Sequence, residues 1–101
     1  MDIFGHPLTQ VSSVNTANVL VLAARPQGYE IPFYEVSYDG VPVGGRLTLA
    51  YGATNYYITD ITAAGPGPRN PYWKVPSNVA ATLTVAAGGA GISSRINITV
   101  I

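Results

Sequence analysis

Apolar and polar positions alternate along most of this chain. In VAATLTVAA at 79–87, Val79, Ala81, Leu83, Val85 and Ala87 share one face, and Ala80, Thr82, Thr84 and Ala86 share the other. ISSRINITVI at 92–101 repeats the pattern, with Ile92, Ile96, Ile98 and Val100 set against Ser93, Arg95, Asn97 and Thr99. Successive side chains of a strand point to opposite faces, so both segments predict half-buried β-strands. The intervening AGGAG at 87–91 supplies the positive φ of a tight turn, and a C-terminal hairpin of 79–87 with 92–101 is expected.

The middle of the chain reads the same way. RLTLAY at 46–51 sets Leu47, Leu49 and Tyr51 against Arg46, Thr48 and Ala50, and NYYITDITA at 55–63 follows after a short turn flanked by Gly52 and Asn55. YEIPFYEVSYDG at 29–40 is an aromatic strand running into Asp39-Gly40, a hairpin turn signal, while Pro32 predicts an edge strand or a bulge. ANVLVLAA at 17–24 is apolar on both faces, which fits a central buried strand or one face of an interface. No segment holds a helical period of useful length. About seven to eight short strands separated by turns predict an all-β fold: an antiparallel β-sandwich or jelly-roll-like barrel, as a single domain over 1–101. Residues 1–16 form an N-terminal arm or a first strand.

Charge changes the picture. Five acidic and five basic residues make up only 10% of the chain, against about 25% in an ordinary soluble domain. Thr, Ser, Asn and Gly must therefore supply most of the polar surface. A net charge near zero favours association, and the lack of a basic excess argues against nucleic-acid binding. There is no cysteine, hence no disulfide framework and no thiolate metal site. The opening MDIFGHPLTQ lacks the basic and long apolar segments of a secretory signal, so none is expected. The longest apolar run, VLVLAA at 19–24, is too short to span a bilayer.

Candidate chemistry is sparse. The single histidine, His6, sits beside Pro7 near the N-terminus, a poor place for a rigidly held catalytic imidazole. Asp2, Glu30, Glu35, Asp39 and Asp60 are dispersed, without the spacing of a metal loop. Glu30 and Glu35 fall on opposite sides of a regular strand. Asp60 interrupts an apolar strand, either inward with Arg46 or Arg95 as partner or outward as an edge charge. GGAG at 88–91 precedes a strand rather than a helix and is not a phosphate loop. Asn97-Ile98-Thr99 matches a glycosylation sequon, which without an export signal is read as chance. No enzymatic activity, cofactor or metal is expected.

Recognition is better supported. AGPGPRNPYWKVPSN at 64–78 holds Pro66, Pro68, Pro71 and Pro76 together with Arg69, Tyr72, the lone Trp73 and Lys74. Tyr, Trp and Arg most often anchor protein interfaces, and prolines reduce the entropy lost on binding. Tyr56 and Tyr57 join these four as candidate interface residues. Trp73 has two readings: the anchor of an interface, or a plug closing the end of the sandwich.

RLTLAYGATNYYITDITAAG and VAATLTVAAGGAGISSRINITVI resemble the small all-β structural proteins of tailed bacteriophages, in which a glycine turn precedes a strand of the YYITDI type. The resemblance implies a homo-oligomer, often a trimer, contacting a larger shell or tail protein, with the virion as its location. It carries over no functional residue. The expected function is that of a capsid decoration protein, with INITVI available to extend a neighbour's sheet. Two alternatives stand beside it: a carbohydrate-binding module or lectin stacking sugars on Tyr72 and Trp73, with Arg69, Asn70 and Lys74 bonding hydroxyls, and an adhesion domain like those of immunoglobulins or fibronectin. The Cys–Trp–Cys pattern of true immunoglobulin domains is missing.

Overall fold

A computed structural model describes residues 6–12, 14–51, 54–62, 65–66 and 73–101. They form ten strands: β1 (His6–Val11), β2 (Asn18–Leu22), β3 (Tyr29–Ile31), β4 (Phe33–Tyr38), β5 (Arg46–Tyr51), β6 (Thr54–Asp60), β7 (Gly65–Pro66), β8 (Trp73–Val75), β9 (Ala81–Val85) and β10 (Ser94–Val100). The pairing is nested. β5 pairs with β6, β4 with β7, β3 with β8, β2 with β9 and β1 with β10, all antiparallel.

The chain is thus one long hairpin, doubled back at β5–β6 and rolled up. Rolling places alternate pairs in opposite sheets. β10 also pairs with β4, giving the order β1-β10-β4-β7, and β9 also pairs with β5, giving β2-β9-β5-β6. The β3·β8 pair stays a separate ribbon. This is the jelly-roll wrap of an antiparallel sandwich, in the all-β class expected from the alternation.

Between the sheets lies a core built from the inward alternates. Leu47, Leu49, Leu83 and Val85 come from one sheet and Tyr34, Val36, Ile96 and Ile98 from the other. Full burial of each such side chain contributes about 1.5–3 kcal/mol. The polar Asn18 is buried with them, and its Nδ2 donates to the Ser94 carbonyl at 3.1 Å, tying β2 to β10 across the layers.

Two expected hairpins are absent. Residues 79–87 and 92–101 do supply strands, but β9 and β10 lie in opposite sheets, and 86–93 crosses between them. The Asp39-Gly40 turn likewise leads from β4 in one sheet to β5 in the other. The turn residues serve crossovers instead, and the two crossovers hold each other. Val43 N–H donates to the Gly88 carbonyl at 2.6 Å, and Tyr38 O–H donates to the Ala86 carbonyl at 2.7 Å. Gly88 has φ of 80°, and a Cβ there would stand 2.6 Å from the Tyr38 ring, so the close approach requires glycine. Burial pushes the Tyr38 phenol above its ordinary pKa.

Other expectations are sharpened. Residues 6–11 are a first strand rather than an arm. Pro32 falls between β3 and β4, where the chain leaves the ribbon for a sheet and no ladder N–H is needed. β2 is terminal in its sheet, so VLVL is not a central strand, and Val19 and Val21 face outward. β10 is paired on both sides, with β1 and with β4. INITVI therefore has no free edge to offer a neighbour, which corrects that expectation.

Asp39 locks the crossovers from outside. Its Oδ1 accepts from Ser93 N–H at 2.9 Å and its Oδ2 from Ser93 Oγ at 2.6 Å. These bonds favour the carboxylate and hold its pKa below the ordinary 3.8. A depressed folded pKa means that the stabilisation is fully present above the unfolded value and is lost as pH falls through the folded one. Asp39→Ala should therefore lower the urea midpoint at pH 7, with the gap to the unsubstituted protein closing as pH falls below about 3.8. Midpoints across pH 2–7 check this, and a gap that stays constant would refute it.

Candidate functional site

Of the residues singled out in the proline-rich loop, Arg69 and Tyr72 lie outside the described residues. Trp73 is placed clearly. Strand β8 alternates Trp73 in, Lys74 out, Val75 in. The indole is 2% exposed and stacks on Tyr34, with ring centroids 4.4 Å apart and planes 16° from parallel. Of the two readings of Trp73, the plug is the one the structure takes, and neither an interface anchor nor a sugar platform can use a ring buried in this way. Lys74 is exposed on the outer side of β8. Tyr57 is in β6, with its backbone opposite Leu49.

Tyr56 is positioned by an irregularity that the alternation does not reveal. Leu49 pairs with Tyr57 but Ala50 pairs with Asn55, so Tyr56 is the extra residue of a bulge. A bulge re-aims its side chain. Here Tyr56 meets Tyr51, with ring centroids 5.0 Å apart and planes tilted by 39°, and remains 47% exposed.

The two tyrosines line one wall of an open cleft of about 780 Å³. The β3·β8 ribbon forms the opposite wall, where Glu30 sits across from Lys74. The turn before β3 is closed by Gly28 N–H donating to the Arg25 carbonyl at 3.0 Å. Gly28 has φ of 70°, and a Cβ there would collide with the Val75 carbonyl, so glycine is what lets this turn lie against β8. The Arg25 guanidinium lies 4.3 Å over the Tyr29 ring, and its Nη2 donates to the Ile101 carbonyl at 3.2 Å. Glu30 N–H donates to the Ile101 carbonyl at 3.2 Å, and Ile101 N–H donates back to the Glu30 carbonyl at 2.8 Å, which pins the chain end to the ribbon.

A second feature is a surface. The outer face of the β2-β9-β5-β6 sheet carries a cross-strand row Val19, Thr84, Thr48, Ile58 and a second row Val21, Thr82, Ala50. Val21 is 63% exposed, Ile58 48% and Val19 42%. The charges on this face are Arg46 and Asp60, and they neutralise each other, Nε to Oδ1 at 2.9 Å. Asp60 is thus both outward and partnered by Arg46. An exposed pair of this kind contributes little to stability, about 0–1 kcal/mol. The outer face of the β1-β10-β4-β7 sheet is more polar: it presents Thr9, Arg95, Asn97, Glu35 and Ser37 beside the exposed Val11 and the half-buried Phe33, and Thr9 Oγ1 donates to Asn97 Oδ1 at 2.9 Å.

Sequence reasoning named Tyr56 and Lys74, but not as neighbours of one cleft. It missed Arg25, Tyr29, Glu30 and Tyr51, which converge from separate segments. The outward valines were signalled by the two-sided apolar run at 17–24. Among the described residues no group of three or more His, Cys, Asp or Glu gathers to hold a metal ion, and no helix is long and apolar enough to cross a membrane. Compared with models of known protein families and with curated proteins, the chain matches none.

The placement of Trp73 has a measurable consequence. Trp73→Ala should destabilise the fold by about 3–5 kcal/mol, the cost of truncating a large buried aromatic. Urea unfolding measures it, and a loss under about 1 kcal/mol would mean that the indole is a surface group.

Proposed function

We propose that this protein is a non-enzymatic structural component of a viral particle, a capsid decoration protein that acts through contacts with a shell subunit and with its own copies. The observation that carries this reading is the outer face of the β2-β9-β5-β6 sheet. Exposed Val19, Val21 and Ile58 stand among threonines there, and the two charges present cancel. The opposite sheet dresses its outer face with Arg95, Asn97 and Glu35. That face also carries the exposed Val11, but its charges and its amide make it the more polar of the two, and the β2-β9-β5-β6 face is the better suited to a partner.

The edge strand supports the same reading. Edge strands are usually blunted by charge, proline or a bulge. β6 has Asp60 and the bulge at Tyr56, whereas β2, NVLVL, has none of these. The resemblance of the Arg46–Ile101 stretch to phage structural proteins points the same way. A jelly roll is also a wrap that viral coat domains use, which is analogy at the level of fold and not of site.

Size decides how such a face would be used. Four strands about 4.8 Å apart and about five residues long give roughly 300 Å² of face. A stable two-body interface buries about 800 Å² per partner. One face is therefore too small for tight one-to-one binding, but it suits a repetitive surface, where many weak contacts add up.

The test is binding of the purified protein to empty shells from its own source, with molar mass measured in solution. The unsubstituted protein should bind or self-associate, and Val21→Asp with Ile58→Asp should weaken this at least about tenfold while leaving the urea midpoint nearly unchanged, since both side chains face outward. A strict monomer with no affinity for shells would overturn the proposal. So would a double variant that binds as well as the parent.

A further inference from the structure

We infer that the cleft between the β5–β6 hairpin and the β3·β8 ribbon is a binding site for a neutral, hydroxyl-rich saccharide. The inference does not depend on the particle reading, because the cleft is a different surface from the Val21–Ile58 face.

The size and form come first. At about 780 Å³ the cleft lies within the range of small-molecule sites, and it opens to solvent.

The stacking group is Tyr56. Tyr29 has the Arg25 guanidinium over its ring and donates its O–H to the Ala23 carbonyl, so it serves as wall. Tyr51 packs partly against the core and backs Tyr56 from 5.0 Å. Tyr56 is half exposed and held in place by this contact. A rigid aromatic face with a polar tip, placed where a bulge departs from the regular ladder, is a platform for a ligand with an apolar face and polar edges. The C–H faces and equatorial hydroxyls of a pyranose fit that description.

The opposite wall supplies the polar groups. Glu30 only accepts hydrogen bonds, while Lys74 and Arg25 only donate. A hydroxyl both donates and accepts, so a mixed wall of this kind suits hydroxyls. Arg25 is engaged on the Tyr29 ring and the Ile101 carbonyl, and Lys74 sits across from Glu30. Single-stranded nucleic acid needs a positively charged groove that tracks its backbone, and one lysine beside a carboxylate does not make one.

The experiment probes the intact protein with a glycan array carrying neutral, sialylated and sulfated oligosaccharides, and with a single-stranded oligothymidylate. The best neutral oligosaccharide is then titrated by calorimetry and by amide chemical-shift mapping. Binding of neutral glycans is expected, with shifts concentrated at Glu30, Tyr51, Tyr56 and Lys74. Tyr56→Ala should weaken it about tenfold or more, and Val21→Asp should leave it unchanged. The mapping stands alone if Tyr56→Ala unfolds. The inference is overturned if no neutral glycan binds at millimolar concentration, if acidic glycans or the oligothymidylate bind better, if the shifts fall elsewhere, or if Tyr56→Ala binds like the parent. None of these outcomes bears on shell binding through the other face.

Discussion

Everything in this molecule hangs on one constraint: the chain pairs from both ends inward. His6 lies against Val100, Asn18 against Val85 and Arg46 against Asp60. A sheet built in this way has its outermost pair made of the first and last strands, and its only local pair in the middle. β10 then becomes an interior strand although it ends the chain, with β1 on one side and β4 on the other. Its alternation of Ile96, Ile98 and Val100 with Arg95, Asn97 and Thr99 is what lets it face the core on one side and water on the other. Loop closure of this length costs entropy that only the completed core repays. The uninterrupted burial of Leu47, Leu83, Val36 and Ile96, all essentially inaccessible, is that repayment.

The same constraint explains what could and could not be read from the residues alone. Alternation is a local property, and it located β5, β9 and β10 within two residues, while it carried the β6 segment past its end at Asp60 and ran β3 and β4 together as one strand. Pairing is not local. Asp39-Gly40 and the glycines of 87–91 signalled turns, and turns are there, but a turn residue fixes only where the chain reverses or bends. Which sheet the next strand enters is decided by the partner its apolar face finds. Among the described residues, only at β5–β6, where the nest closes on itself, do neighbours in sequence become neighbours in a sheet. Trp73 shows the same limit. Its proline-rich setting left an interface anchor and a core plug equally open, and what decides between them is Tyr34, a residue far away in sequence, met through a strand of only three residues.

Few charges are consistent with this architecture. Each sheet needs only one polar face, and β-branched Thr supplies polarity without leaving the strand-forming residue types. Thr48, Thr82 and Thr84 do this on one face. The cost is that such a face repels little: with Arg46 and Asp60 satisfied by each other, nothing on it resists a partner. The other face keeps Arg95 and Glu35, so the two sides of the sandwich are chemically distinct although the alternation that builds them is the same.

The cleft follows from the one pair that does not join either sheet. β3 and β8 are separated from their neighbours in the roll by Pro32 on one side and by the Ser77–Asn78 turn on the other, so their ribbon stands apart from the end of the β5–β6 hairpin. Two devices set its width. Gly28 lets the preceding turn close against Val75, and the mutual hydrogen bonds of Glu30 and Ile101 bind the ribbon to the end of β10. The hairpin end faces it with a bulge rather than a regular rung, and the bulge presents Tyr56. A regular ladder would have kept Tyr56 on the outer face beside Ile58. The extra residue turns it toward Tyr51 instead, and that single departure from period two separates the aromatic wall of the cleft from the uncharged face of the sheet.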